Sequence, residues 1–228
     1  MKIKLYLKIF IFIIIFILTR QIDIYGILMS FALIHELGHM LAGILLGFKP
    51  KELEIMPMGL SVAFESAPKN YNKKIKKTNL LTIKKIVIAA CGPLTNIIFI
   101  FIFSIFDIHI FNIQRELIVY ANILIAIFNL IPIYPLDGGR IIKGILSIFY
   151  GRRNACKYTN IASNACVIAL TAISSIVVLY IQNVAILFIL AYLWYLVILE
   201  NKKYNKQKQL YDKLDTLLSP WHISVLVR

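Results

Sequence analysis

The sequence predicts an all-α polytopic membrane protein, with about six transmembrane helices and a short membrane-associated β-hairpin or edge strand after the second helix. The 228 residues are 60% hydrophobic and their mean hydropathy is +0.79, well above what the roughly half-apolar composition of soluble domains gives. Uncharged runs such as 86–106 and 117–136 reach the ~20 residues that cross a bilayer core as a helix. Such runs are too apolar for a surface that faces water.

Six membrane spans are expected, at about 5–19, 24–48, 83–106, 116–136, 160–181 and 184–199. The first resembles a secretory signal, since lysines precede an apolar run, but no small-residue cleavage site follows it. We therefore interpret it as a retained span. Only Gln182 and Asn183 separate the last two spans, which predicts a tight helical hairpin. Residues 1–199 are expected to form one six-span domain, and residues 200–228 a basic cytosolic tail.

The distribution of basic residues predicts the orientation of these spans. With the amino terminus inside, 23 of the 25 Lys and Arg residues fall in inner segments, and only Arg20 and Arg115 fall outside. Basic residues accumulate on the cytoplasmic side of membranes, so both termini are expected in the cytoplasm. The basic residues behind the net charge of +14 then lie in loops such as 66–85, which can bind anionic lipid head groups. Nucleic acid is not expected as a partner.

Two segments do not fit simple spans. Residues 52–64 are too short to cross, and they partly alternate apolar with small or polar residues, which predicts the hairpin or edge strand near the interface. Such a segment could add an extended substrate as a further strand. Residues 138–151 predict a short helix at the inner interface.

Ionisable residues inside the second span are the first sign of chemistry. His35 and His39 are four residues apart, so on a helix both imidazoles lie on one face and can reach one metal ion. Glu36 points about 100° around the helix. Its carboxylate is placed beside the metal, where it can take a proton from water, as in H-E-x-x-H hydrolases. Gly38 leaves room for a neighbouring backbone or substrate. Polar residues are costly in membranes, which favours a functional site.

A third ligand is required, because a catalytic zinc typically takes three from the protein. His109 and His222 are interpreted as ordinary interface histidines. Asp137 is the better candidate, since prolines and glycines around it break the fourth span and can direct an acid inward. The second and fourth spans run the same way, so the three ligands can meet on the cytoplasmic side. Alternatively, Asp137 only caps the next helix or pairs with Arg140.

Two asparagines add further candidates. Asn129, in the fourth span, could donate to a developing oxyanion or to a substrate carbonyl, or could make a structural bond between helices. Residues 91–96 predict a break in the third span. Within them, Asn96 could serve in packing or could support the metal ligands from behind, and the segment is interpreted as mainly architectural.

Three motifs together resemble the signatures of the site-2 protease family of intramembrane zinc metalloproteases. They are HELGH in the second span, GPLTN in the third and NLIPIYPLDGG at the end of the fourth. The six-span core and the sequence motif PLDGGR are most similar to the bacterial stage IV sporulation protein FB group. The resemblance, over residues 1 to about 199, implies one Zn²⁺ ion bound by His35, His39 and Asp137. It also implies Glu36 as the acid/base and Asn129 in substrate positioning.

The resemblance further implies cleavage of a membrane-tethered protein near the cytoplasmic leaflet of a bacterial inner membrane. Processing of a pro-sigma factor during sporulation is the expected example, with membrane regulatory proteins as further partners. Members of this branch commonly end in a nucleotide-sensing CBS domain, for which the 29 residues after Leu199 are too few. Control by ATP is therefore in doubt.

Two other functions are considered from the residues alone. A membrane metal-ion transporter would use the same ligands, but it predicts acidic or histidine residues along a continuous path, and the fifth and sixth spans carry none. A catalytically silent scaffold predicts loss of Glu36 or of a ligand, yet all are present.

Overall fold

The computed structural model describes residues 2–5, 22–56, 59–64, 78–106, 114–181 and 185–217. Within these ranges the elements are β1 (Lys2–Leu5), α1 (Ile22–Leu45), β2 (Pro50–Met56), β3 (Gly59–Phe64), α2 (Thr78–Ile105), α3 (Arg115–Leu130), α4 (Asp137–Ile181) and α5 (Ala185–Leu217). The protein is mostly helical, as predicted.

Among the described residues, three helices are long and apolar enough to cross a membrane. They comprise Ile24–Leu45, Asn79–Ile105 and Asp137–Val178, and they make the chain an integral membrane protein. The prediction of six spans is only partly met by these three. The predicted first span, 5–19, lies outside the described residues except for its first residue.

Helix α2 begins at Thr78 and runs without a break to Ile105. The predicted break at 91–96 is therefore wrong, because Pro93 is accommodated inside the helix. Lys84 lies within α2, and its Nζ donates to the carbonyl of Leu46, 2.9 Å away, just beyond the end of α1. The lysine thus supplies a donor to a carbonyl at the end of α1, where carbonyls lack a helical N–H partner.

Helix α3 is 16 residues long, shorter than the predicted span 116–136. It ends at Leu130, and residues 131–136 form an irregular turn with a cis peptide bond before Pro135. Proline at 132 cannot donate a helical hydrogen bond, although hydropathy continues through this stretch. The apolar run therefore extends further than the helix.

Helix α4 contains both the predicted interfacial helix and the predicted fifth span. The two parts meet at Gly151, whose φ of 76° and ψ of 162° interrupt the helical geometry. Glycine adopts a positive φ without steric cost. The second part thus starts directly after Gly151, earlier than the predicted residue 160. Helix α5 carries the predicted sixth span and continues through the predicted tail to Leu217.

A three-stranded sheet, in the order β1-β2-β3, lies near the end of α1. Strand β1 runs parallel to β2, and β3 runs antiparallel to it. Strands β2 and β3 lie at the predicted residues 52–64, whereas their association with the membrane stays a prediction. The ring of Phe64, in β3, lies so close to Gly43 of α1 that a Cβ there would overlap it. This contact holds the sheet one helical turn beyond His39.

Two apolar clusters hold the helices together. The first joins α1, α2 and α3 and consists of Ile27, Phe31, Phe103, Ile118 and Ala121. The second joins the turn at 131–136 to α4 and α5 and consists of Ile133, Val167, Leu193 and Val197. Because dense packing resists displacement, the second cluster restrains the 131–136 turn against α4 and α5.

Candidate metal centre

His35 and His39 of α1 lie on one buried face of the helix, and each is only 3% exposed. Their rings are perpendicular, with centroids 4.7 Å apart, and their Nε2 atoms are 3.1 Å apart. This is the arrangement that the spacing of four residues predicts.

Asp137, also 3% exposed, reaches the same point from the start of α4. Its Oδ2 lies 3.1 Å from Nε2 of His35 and 3.0 Å from Nε2 of His39. Ligands bound at 2.0–2.1 Å to one tetrahedral zinc are about 3.3 Å apart, close to these separations. The three residues therefore form a group that could hold a metal ion. Arg140 also approaches Asp137, but at 3.6 Å and on the other oxygen.

Close backbone contacts place Asp137 there. A Cβ on Gly138 would overlap the carbonyl of Leu130, and one on Gly139 would overlap the backbone of Tyr134. The N–H of Tyr134 donates to Oγ of Ser163, 3.0 Å away in α4. The turn thus folds back tightly on the helix that follows it, as the paired glycines allow.

The hydrogen bonds behind the two imidazoles decide which of their nitrogens face the site with a lone pair. Nδ1 of His39 lies 2.7 Å from the carbonyl oxygen of Ile88, which can only accept, so this nitrogen donates. Nδ1 of His35 lies 2.5 Å from Oδ1 of Asn96 and donates likewise. Both Nε2 atoms therefore present lone pairs.

Three atoms that can each offer a lone pair to a cation then converge in one buried space, two imidazole nitrogens and a carboxylate oxygen. Uncompensated acceptors in a buried site are costly, and a cation offsets this cost. Two neutral imidazoles and one carboxylate, each imidazole held by a second hydrogen bond, are a known zinc ligand set. The residues present therefore fit a metal ion of this kind.

Two glycines make room for this centre. A Cβ on Gly92 of α2 would overlap the ring of His39 and come within 2.7 Å of Nε2 of His35. A Cβ on Gly38 would overlap Oγ1 of Thr95 in α2. The expected role of Gly38, to admit a neighbouring backbone, agrees with this approach of α1 and α2.

Glu36 is half-buried beside the centre. It lies close enough to His39, His35 and Asp137 to interact with them electrostatically. No hydrogen bond or ion pair engages its carboxylate among the residues that the structure describes. The group is therefore beside the three ligands and available to exchange a proton.

Asn129 is half-buried in α3, and its Nδ2 donates to the carbonyl of Ile125, 3.0 Å away in the same helix. The described contacts do not join it to the three ligands, so its role in substrate positioning stays a prediction. His109 and His222 lie outside the described residues.

Asn122 is a residue of this site that the sequence reasoning missed. It is fully buried in α3, and its Oδ1 accepts a hydrogen bond of 2.8 Å from Nδ2 of Asn96. Asn96 itself contacts His35 of the centre, which agrees with the supporting role that was one of its two expected alternatives. A polar residue within an apolar span was the available signal.

The fold and this centre define an integral membrane protein that could hold a metal ion among its helices. Comparison with known proteins agrees with this class. The model of peptidase family M50 matches residues 114–173. A zinc metalloprotease of Methanocaldococcus jannaschii is 32% identical over 139 residues, which are 58% of this chain and 35% of that protein.

Stage IV sporulation protein FB of Bacillus subtilis is 30% identical over 121 residues, which are 50% of this chain and 37% of that protein. The chain therefore aligns with about a third of the length of these relatives. The solved site-2 protease from Methanocaldococcus jannaschii has the same fold, with a TM-score of 0.63 and 22% identity, over 87% of this chain and 89% of the other. The chain thus resembles the site-2 protease family in sequence over about half of its length and in fold over most of it.

Proposed function

We propose that this protein is an intramembrane zinc endopeptidase that cleaves a membrane-tethered protein near the cytoplasmic leaflet. The observation that carries the proposal is the convergence of His35, His39 and Asp137 within 3.1 Å of one another, with Glu36 beside them. The relative named as a zinc metalloprotease supports zinc as the metal. We propose the first three residues as its ligands.

A zinc ion held there would supply Lewis-acid catalysis, which lowers the pKa of water to about 7. The chain's own residues would manage the protons. The carboxylate of Glu36 accepts a proton from the attacking water, and the water oxygen forms a bond to the carbonyl carbon of the peptide. Glu36 then returns the proton to the amine nitrogen as the carbon–nitrogen bond breaks.

Two further groups would hold the substrate. The amide of Asn129 would donate to the carbonyl oxygen under attack, where charge develops. Strand β3 has a free edge in the described sheet, which would receive the unwound substrate as an added strand. An extended substrate exposes the carbonyls that a helix engages in hydrogen bonds.

The cellular role proposed is regulated proteolysis, such as processing of a pro-sigma factor during sporulation. The likeness to stage IV sporulation protein FB supports this role. The distribution of Lys and Arg supports six spans in a bacterial inner membrane with both termini in the cytoplasm. Basic segments would contact anionic lipid head groups, and membrane regulatory proteins would be further partners.

Coexpression with candidate membrane-tethered substrates, a pro-sigma factor among them, tests the proposal. Native protein and Glu36→Gln should both bind zinc, but only the native protein should cleave, with a difference of at least about 100-fold. Glu200→Gln is the matched control, because Glu200 pairs with Lys143 and Lys203 in the α4–α5 region. Equal cleavage by native protein and Glu36→Gln would contradict the role of Glu36. A native protein without zinc would contradict the proposed function as a whole.

A further inference from the structure

A line of buried amides runs from the metal centre across three helices. Nδ1 of His35 in α1 contacts Oδ1 of Asn96 in α2 at 2.5 Å, and Nδ2 of Asn96 contacts Oδ1 of Asn122 in α3 at 2.8 Å. Nδ2 of Asn122 contacts the backbone carbonyl of Ile118 at 2.9 Å. Both asparagines are 0% exposed, so water does not compete for these contacts.

The backbone carbonyl at the end of this line of hydrogen bonds determines which group donates and which accepts in every bond along it. The carbonyl of Ile118 can only accept, so Asn122 must turn its NH₂ group toward it and its oxygen toward Asn96. Asn96 must then turn its NH₂ toward Asn122 and its oxygen toward His35. Its oxygen requires a proton on Nδ1 of His35, which leaves the lone pair on Nε2.

The opposite direction would be incompatible with a metal. If Asn96 were turned over, its NH₂ would face Nδ1 of His35, and the ring proton would move to Nε2. That proton would point at Oδ2 of Asp137, 3.1 Å away, where the metal would bind. One histidine tautomer allows coordination and the other excludes it.

We propose that Asn122 is a positioning residue for the metal centre: through Asn96 it fixes the tautomer of His35 that can bind zinc. Asn122 touches neither metal nor substrate, and it acts through the orientation of another amide. The inference rests on the proposed zinc site but not on proteolysis, since its readout is zinc affinity and the position of a proton.

Zinc titration of the purified full-length protein, in competition with a chromophoric chelator, provides the first test. Asn122→Leu should weaken zinc binding by 10-fold to 100-fold, the range found when groups that orient metal ligands are removed. Asn122→Asp should bind within about threefold of the native protein, because a buried, protonated carboxyl still accepts from Asn96 through its carbonyl oxygen and donates to Ile118 through its hydroxyl. Loss of affinity in both variants alike would contradict the proposal, as would native affinity in Asn122→Leu.

A double variant separates orientation from packing. The double variant combines Asn96→Asp with Asn122→Leu. Either oxygen of the new carboxylate can accept from Nδ1 of His35, so turning this side chain over changes nothing. Zinc affinity should therefore recover. A double variant as weak as Asn122→Leu would overturn the proposal. Asn164→Leu is the matched control, since it removes amide bonds between α4 and α5, at 2.9 and 3.0 Å from Asn201, away from the centre. It should leave zinc affinity unchanged.

A measurement on the native sequence decides the matter if Asn122→Leu fails to fold. Nitrogen-15 NMR of metal-free protein labelled at histidine should show His35 with its proton on Nδ1, assigned by its absence from His35→Gln. An Nδ1 of His35 without a proton would overturn the proposal. Native protein that binds no zinc would instead contradict the proposed function.

Discussion

Oδ2 of Asp137 lies 3.0 Å from Nε2 of His39, although 98 residues separate them in the sequence. One atom belongs to the middle of a membrane helix and the other to the first residue of a helix that follows a turn. Their contact depends on both the packing of α1 against its neighbours and the closely packed turn at 131–136. The metal centre is therefore as stable as this tertiary arrangement.

Asp137→Asn tests the third ligand. The amide removes the negative charge and one acceptor atom, so we expect zinc affinity to fall by more than about 100-fold, beyond the effect of groups that only orient ligands. Zinc content after dialysis against a chelator gives the measurement. Asp212→Asn, which removes a surface partner of Arg153, should keep its zinc. Equal zinc in the two variants would exclude Asp137 as a ligand.

Gly92→Ala tests the space beside the imidazoles. The added methyl group would overlap the ring of His39, so the ring must move and zinc affinity should fall at least about tenfold, with helix content by circular dichroism retained. Gly26→Ala is the control in α1, because nothing lies within 4 Å of a Cβ there. It should stabilise the protein by ~0.5–1 kcal/mol. Native affinity in Gly92→Ala would show that the rings are not confined as the structure has them.

The grouping of His35, His39 and Asp137 could be predicted from sequence because two independent physical rules apply to these residues. Helical periodicity places His35 and His39 on one face, and the cost of ionisable groups in a membrane makes Asp137 an unusual residue that requires a reason. The glycines and prolines around Asp137 indicated that a turn is present, but they did not indicate its conformation.

Other features could not be read from the sequence because they depend on tertiary contacts. Hydropathy does not change at Leu130, so only Pro132 and Pro135 indicated a break in this region, and the exact end of α3 was not predicted. Asn122 has the same character as Asn129, and only the packing of α3 on α2 shows that Asn122 meets Asn96. Strand β1 has four residues, too few for a periodic signal, and its partner is about 50 residues away.

Lys84→Met tests the contact between α2 and the end of α1. The methionine keeps most of the volume but leaves the carbonyl of Leu46 without its charged donor, so we expect a loss of about 1–2 kcal/mol in the free energy of unfolding. Unfolding in mixed micelles with increasing denaturing detergent gives the value. The neighbouring Lys85 is exposed, and Lys85→Met should change stability by less than about 0.5 kcal/mol. Equal effects at both positions would argue against the contact.

Arg153→Gln tests how the charged end of α5 is held. Arg153 contacts Asp215 at 2.6 Å and Asp212 at 3.2 Å, and its guanidinium lies 5.4 Å from the ring centroid of Tyr211. Because the three charged groups are on the surface, salt screens their attraction. Amide hydrogen exchange in residues 205–217 should be faster in the variant, and high salt should accelerate exchange in the native protein more than in the variant. An exchange rate unaffected by both changes would show that the ion pairs do not hold this segment. Arg152→Gln, at the neighbouring position, is the matched control.

Asn129→Leu tests whether this amide serves the reaction or only the structure of α3. Its described bond is to Ile125 in the same helix, a contact whose loss should change the fold little. If the amide stabilises the developing oxyanion, kcat should fall about 10²–10³-fold with zinc affinity unchanged. A rise in KM alone would place Asn129 in substrate binding before the reaction. Unchanged kcat and KM would leave only the bond within α3, and Asn164→Leu provides the comparison for a half-buried asparagine away from the site.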